Sequence, residues 1–109
     1  MTDYLISVAE LKNEMKNDQQ LFLVDVRSQQ ERDMLNIGGM LIPFTELSEH
    51  VGKLDRNKNI VFYCHTGARS MMAVKLFTDA GYPSVKSLAG GMMAWQAEIT
   101  ILETESHSH

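Results

Sequence analysis

The sequence predicts an α/β domain, a small and mainly parallel sheet with helices on both faces. Three observations predict it. Short apolar runs at 21–26, 60–63 and 85–88 have the length and composition of buried strands. The segments between them place apolar residues at helical spacing. Glycine or proline marks most junctions, at Gly38, Gly39, Pro43, Gly67, Gly81, Pro83, Gly90 and Gly91. Strands separated by helical segments pair in parallel, because each crossover returns the chain to the same end of the sheet.

Taken in order, residues 7–17 read as a helix, with Val8, Leu11 and Met15 apolar and Ser7 and Glu10 spaced as a capping box. The run at 21–26 is a strand buried on both faces, interrupted only by Asp25. Ser28 and Glu31 repeat the capping-box spacing and open a short helix to Leu35, ended by Gly38 and Gly39. Residues 40–42 form a brief strand stopped by Pro43, and 45–54 read as a helix with Leu47, Val51 and Leu54 on one side. The next strand, Ile60, Val61, Phe62 and Tyr63, ends at Cys64. A helix follows over 70–80, with Ala73, Leu76, Phe77 and Ala80 inward and Met71 outward beside Lys75, and Gly81 and Pro83 close it. Residues 85–88 are the final strand, Gly90 and Gly91 make a turn, and a last helix runs over 92–97.

A chain of 109 residues suits a single domain, read as 1–102, with a polar tail at 103–109 that frays from it. The tail's His107 and His109 lack a third fixed ligand, so no metal is expected there, and no cofactor is expected elsewhere. A net charge of −4 argues against nucleic acid or an anionic membrane as partner. No apolar run approaches the roughly 20 residues that span a bilayer, and the amino terminus lacks the pattern of a secretory signal. One cysteine cannot form an internal disulfide, and the expected location is cytoplasmic.

That cysteine is the chemical focus. Cys64 stands between a strand's carboxyl end and a helix's amino end, where unpaired N–H groups and the helix dipole favour an anion. Such settings lower a thiol from about 8.5 to about 3.5–7.5, and Arg69 adds a nearby positive charge. The small residues Thr66, Gly67 and Ala68 allow backbone N–H groups to turn inward as an anion nest. The expectation is a nucleophilic thiolate that faces solvent, with inward amides as its electrostatic support.

Four segments together resemble the rhodanese family in its single-domain form: LVDVRSQQE at 23–31, IGGMLIP at 37–43, VFYCHTGARS at 61–70 and LAGGMMAW at 88–95. The resemblance implies a rhodanese-like fold and a sulfurtransferase. In that reading Cys64 accepts sulfane sulfur from thiosulfate or a similar donor as a persulfide. His65, Thr66, Gly67, Ala68 and Arg69 bind substrate. The six-residue loop CHTGAR looks like that of sulfurtransferases, and the family's phosphatase relatives carry one residue more. A longer loop suits a tetrahedral phosphoryl group, whereas a persulfide adds one atom. Without a second cysteine the persulfide cannot resolve within the chain, so glutathione, thioredoxin, cyanide or a partner protein must take the sulfur. A non-turnover sulfur carrier or partner-recognition module that serves one protein is the alternative, and a phosphatase or arsenate-type reductase is disfavoured by the short loop and the missing thiol.

Other residues take supporting roles. Asp25 and Arg27 follow the second strand and are expected to order the loops through an ion pair, Arg27 with Glu31 or Asp25, of the exposed kind that contributes about 0 to 1 kcal/mol, the functional alternative being a brace for the Cys64 loop. His65 is read as a rim residue, because neighbours in a tight loop point apart. Where the family commonly has Gly-His-Ile, this chain has Leu35, Asn36 and Ile37, and Asn36 is read as structural. Met71, with Met92 or Met93, is expected to form an apolar lip at the site, and Trp95 to anchor the core.

Overall fold

The computed structural model describes residues 4–98, which fold around one sheet. Its strands are β1 (Leu5–Ile6), β2 (Leu21–Asp25), β3 (Met40–Leu41), β4 (Asn59–Tyr63) and β5 (Val85–Leu88). They lie in the order β1-β5-β4-β2-β3, and every pairing is parallel. The helices are α1 (Val8–Asn17), α2 (Gln29–Met34), α3 (Ala68–Asp79) and α4 over 91–98. The predicted 1–102 domain and 103–109 tail, with His107 and His109, extend outside the described residues.

Strand alternation divides the core between the two faces. Ile60 and Phe62 of β4, and Cys64 just after it, join Val24, Val26, Ala73, Val74, Phe77 and Val85 on the α3 face. Val61 and Tyr63 go to the opposite face, with Leu11 of α1, Leu23, Leu88 and Met92 of α4. Helices therefore cover both faces, as predicted. Ser7 and Ser28 form the predicted capping boxes, each side chain accepting the N–H of the glutamate three positions on.

Several elements differ from their prediction. β1 is absent from the sequence reading; its two residues become a strand only by pairing Leu5 with Ser87 and Ile6 with Leu88. The helix expected over 45–54 is a 3₁₀ helix, Phe44–His50, which buries Leu47. It stops where Val51 turns extended, with Gly52 following at a φ of +88°, and Val51 and Leu54 reach the core from the following turn. α3 starts at Ala68 rather than residue 70, and its inward stripe is Ser70, Ala73, Val74 and Phe77. Leu76, expected inward, is exposed because that i, i+3, i+4, i+7 stripe already faces the sheet. Met15 is likewise exposed, and α1 docks through Val8 and Leu11.

Candidate active site

Cys64 immediately follows β4, and α3 begins four residues later. The turn between them needs Gly67, whose φ of +107° strains any residue with a β-carbon. Unlike α1 and α2, α3 has no side-chain cap from its N-cap residue Gly67 and no acid in its first turn. The Cys64 sulfur fills that role. Sγ accepts the N–H of Gly67 at 3.0 Å and the N–H of Ser70 at 3.4 Å, and the Ser70 hydroxyl lies 3.4 Å away.

These contacts decide the charge of the sulfur. Burial pushes the Cys64 thiol up, but the Ser70 hydroxyl and the N–H groups of Ser70, Gly67 and Arg69 together outweigh it, so the thiol ionises below its ordinary value. Arg69 contributes its peptide N–H. Its guanidinium turns instead to Glu31, 3.6 Å away, and helps the Ser28 N–H hold that carboxylate below its usual range.

One expectation is corrected here. Cys64 does not face solvent: it is 1% exposed. The α4 turn packs on the loop, Met92 N–H donating to the Cys64 carbonyl at 2.9 Å and Met93 N–H to the His65 carbonyl at 3.0 Å. Gly91 makes that approach possible, since a β-carbon there would lie 2.5 Å from the Cys64 carbonyl oxygen. The inward-turned amides are present, while Thr66 and Ala68 form the exposed outer side of the loop.

The loop's neighbours are fixed by a buried pair. Arg27 meets the Asp25 carboxylate with Nε at 2.9 Å and Nη2 at 3.0 Å, and its Nη2 also donates to the Leu35 carbonyl at 2.7 Å. The expected partner Asp25 is found, but the pair is not of the exposed kind: both residues are buried, beneath the 28–39 segment. Arg32 Nη1 adds a contact to Asp25 at 3.3 Å. Asn36 bonds the Arg32 carbonyl and the Gly38 N–H, which ties the turn.

His65 is exposed and makes no bond to the sulfur; it lines a groove of about 260 Å³ with Arg27, Glu31, Met34, Leu35, Met92 and Gln96. The apolar lip is met in part: Met71 and Met93 are exposed as expected, but Met92 is buried in the core of α4's face, and Met71 borders a different groove with Tyr4, Val74 and Thr78. Trp95 is half-buried against the same core, with Lys12 Nζ 5.4 Å from its ring centre.

A sulfur at a helix amino end is a generic device, and the decisive observation is the sequence match. Residues 7–98 match the family described as the rhodanese-like domain. The chain belongs to the rhodanese family. Within it, the chain is 36% identical over 94 residues to "Putative sulfurtransferase YtwF" of Bacillus subtilis, covering 85% of this chain and 90% of that protein. It is 28% identical to "Thiosulfate sulfurtransferase GlpE" of Coxiella burnetii, over 77% of this chain and 79% of the other. The crystal structure of a rhodanese-related protein from Thermoplasma volcanium superposes with a TM-score of 0.77 at 30% identity, over 85% and 90% of the two chains.

In this rhodanese domain the sequence reading missed two polar residues near the sulfur. Helical spacing marks Ser70 only as a helix start, yet it is fully buried and touches Sγ with both its N–H and its hydroxyl. Ser87, also fully buried, lies 2.6 Å from the Ser70 hydroxyl. A glycine at the N-cap and a serine sharing strand parity with the buried Val85 were the available signals.

Proposed function

We propose that this rhodanese domain is a sulfurtransferase that carries sulfane sulfur on Cys64, with thiosulfate as donor and cyanide or a thiol as acceptor. The observation that carries the reading is the Cys64 sulfur seated as the cap of α3, receiving N–H groups from Gly67 and Ser70. The family match and the relatives named as sulfurtransferases support sulfur transfer in general, and the Coxiella relative's name supports thiosulfate.

The chemistry follows from an ionised sulfur. The Cys64 thiolate attacks the outer sulfur of thiosulfate. A new S–S bond forms to Sγ, the bond to the sulfonate sulfur breaks, and sulfite leaves with the electron pair. Cyanide or an external thiolate then attacks the outer sulfur of the persulfide, yielding thiocyanate or an acceptor persulfide and returning the Cys64 thiolate. No proton moves in either displacement, so a base such as His65 is not needed. His65, Thr66, Gly67, Ala68 and Arg69 form the substrate-binding loop, in which the inward N–H groups stabilise negative charge on sulfur. Asp25 and Arg27 hold the segment that flanks it. Burial of Cys64 keeps bulk water from the anion, which strengthens each of these contacts.

The external acceptor is glutathione, thioredoxin or a partner protein, and the exposed His65 beside the nucleophile lines a groove with Met34 and Leu35. The test is steady-state formation of thiocyanate from thiosulfate and cyanide. Double-displacement kinetics with wild type and none with Cys64→Ser are expected. Hydrolysis of an aryl phosphate without thiocyanate would overturn the reading in favour of a phosphatase.

A further inference from the structure

The Ser70 hydroxyl has one proton and three neighbours within reach: the Gly67 carbonyl at 3.1 Å, Cys64 Sγ at 3.4 Å and Ser87 Oγ at 2.6 Å. The carbonyl can only accept, and so can an ionised sulfur. If Ser70 gave its proton to Ser87, neither would be served. Ser87 resolves the competition. It projects from β5 on the Val85 side, is fully buried, and among the described residues its side chain bonds only to Ser70. Its proton therefore has one destination, Ser70 Oγ.

We propose that Ser87 is a positioning residue for the Cys64 sulfur: by donating to Ser70 Oγ it reserves the Ser70 proton for the sulfur. With the sulfur protonated, Ser70 donates to the Gly67 carbonyl and accepts the S–H. With the sulfur ionised, its proton lost to solvent, the Ser70 hydroxyl rotates and donates to Sγ. No proton passes between the serines. The incoming bond from Ser87 polarises the Ser70 hydroxyl, and a bond to an anion gains more from this than one to a neutral carbonyl. The direction of the Cys64 shift, in which the Ser70 hydroxyl is the foremost stabilising group, agrees.

Charged groups on the surrounding elements face elsewhere. Arg69 of α3 turns to Glu31, Lys86 of β5 acts on Glu10, Arg27 after β2 is held by Asp25, and His65 is exposed. The inference rests on Cys64 being the nucleophile, but its test involves no sulfur donor and is independent of turnover.

The experiment is a pH titration of thiolate ultraviolet absorbance, with Cys64→Ser as the blank. Ser87→Ala is expected to raise the midpoint, lowering the thiolate fraction about 1.3- to 5-fold at a pH below both midpoints, the cooperative share of one charge-assisted hydrogen bond. In a Ser70→Ala background the same substitution should shift nothing further. A folded Ser87→Ala protein with the wild-type midpoint, or an equal shift without the Ser70 hydroxyl, would overturn the proposal. If the alanine variant does not fold, the size-matched pair Ser87→Thr and Ser87→Val decides: a higher midpoint in valine supports it, and equal midpoints refute it.

Discussion

Cys64 and Ser70 are joined twice, through the Ser70 N–H and the Ser70 hydroxyl, both 3.4 Å from the sulfur. The first turn of α3 is thus capped by a side chain from the preceding strand's end. A residue that caps a helix is held by the fold, and here the held atom is the nucleophile. Structure and reactivity consequently share the same hydrogen bonds, and the predictions below separate them.

The cap makes stability depend on pH. The folded Cys64 value is depressed, whereas the unfolded thiol titrates near about 8.5. The stabilisation is therefore fully present above the unfolded value, declines as pH falls from it, and is gone below the folded value. Denaturant unfolding across this range should show wild type gaining stability with rising pH relative to Cys64→Ser. Parallel curves for the two proteins would contradict the linkage.

Gly91 should tolerate no side chain. A β-carbon would lie 2.5 Å from the Cys64 carbonyl oxygen and 2.6 Å from that of His65, and both are backbone atoms that accept α4 N–H groups. Gly91→Ala is expected to cost about 2 kcal/mol or more, in the range of strain combined with a lost hydrogen bond, and to slow sulfur uptake. Urea unfolding and the initial rate with thiosulfate measure the two effects.

Asp25 should matter for stability far more than a surface pair would. Removing it leaves Arg27 buried without its carboxylate, and breaking buried pairs costs about 3–5 kcal/mol. Asp25→Ala is expected to lower the unfolding midpoint accordingly. In the fraction that stays folded, the Cys64 titration should be close to wild type, because Asp25 does not touch the sulfur.

The features legible in the sequence were local ones. Ser7 with Glu10 and Ser28 with Glu31 announce two helix starts because a capping box is complete within four residues. The strand ending at Cys64, the Gly67 turn and the family motifs likewise occupy short windows. What the sequence concealed depends on distant partners. Leu5 and Ile6 are a strand only beside Ser87 and Leu88. Cys64 is buried because it packs with Val24, Val26, Ala73, Val74 and Phe77 on the α3 face, and the buried Asp25 and Arg27 are met by Arg32 and the Leu35 carbonyl from the 28–39 segment. Ser70 meets Ser87 because parallel pairing brings β5 beside β4, under the first turn of α3. Side-chain spacing along one element could not reveal that contact.

The most direct test of the account is the intact mass of the protein after incubation with thiosulfate and removal of excess donor. Wild type should gain the mass of one sulfur atom, lose it on addition of cyanide, and show no gain as Cys64→Ser. An unchanged wild-type mass, or an equal gain in Cys64→Ser, would contradict sulfur transfer through Cys64.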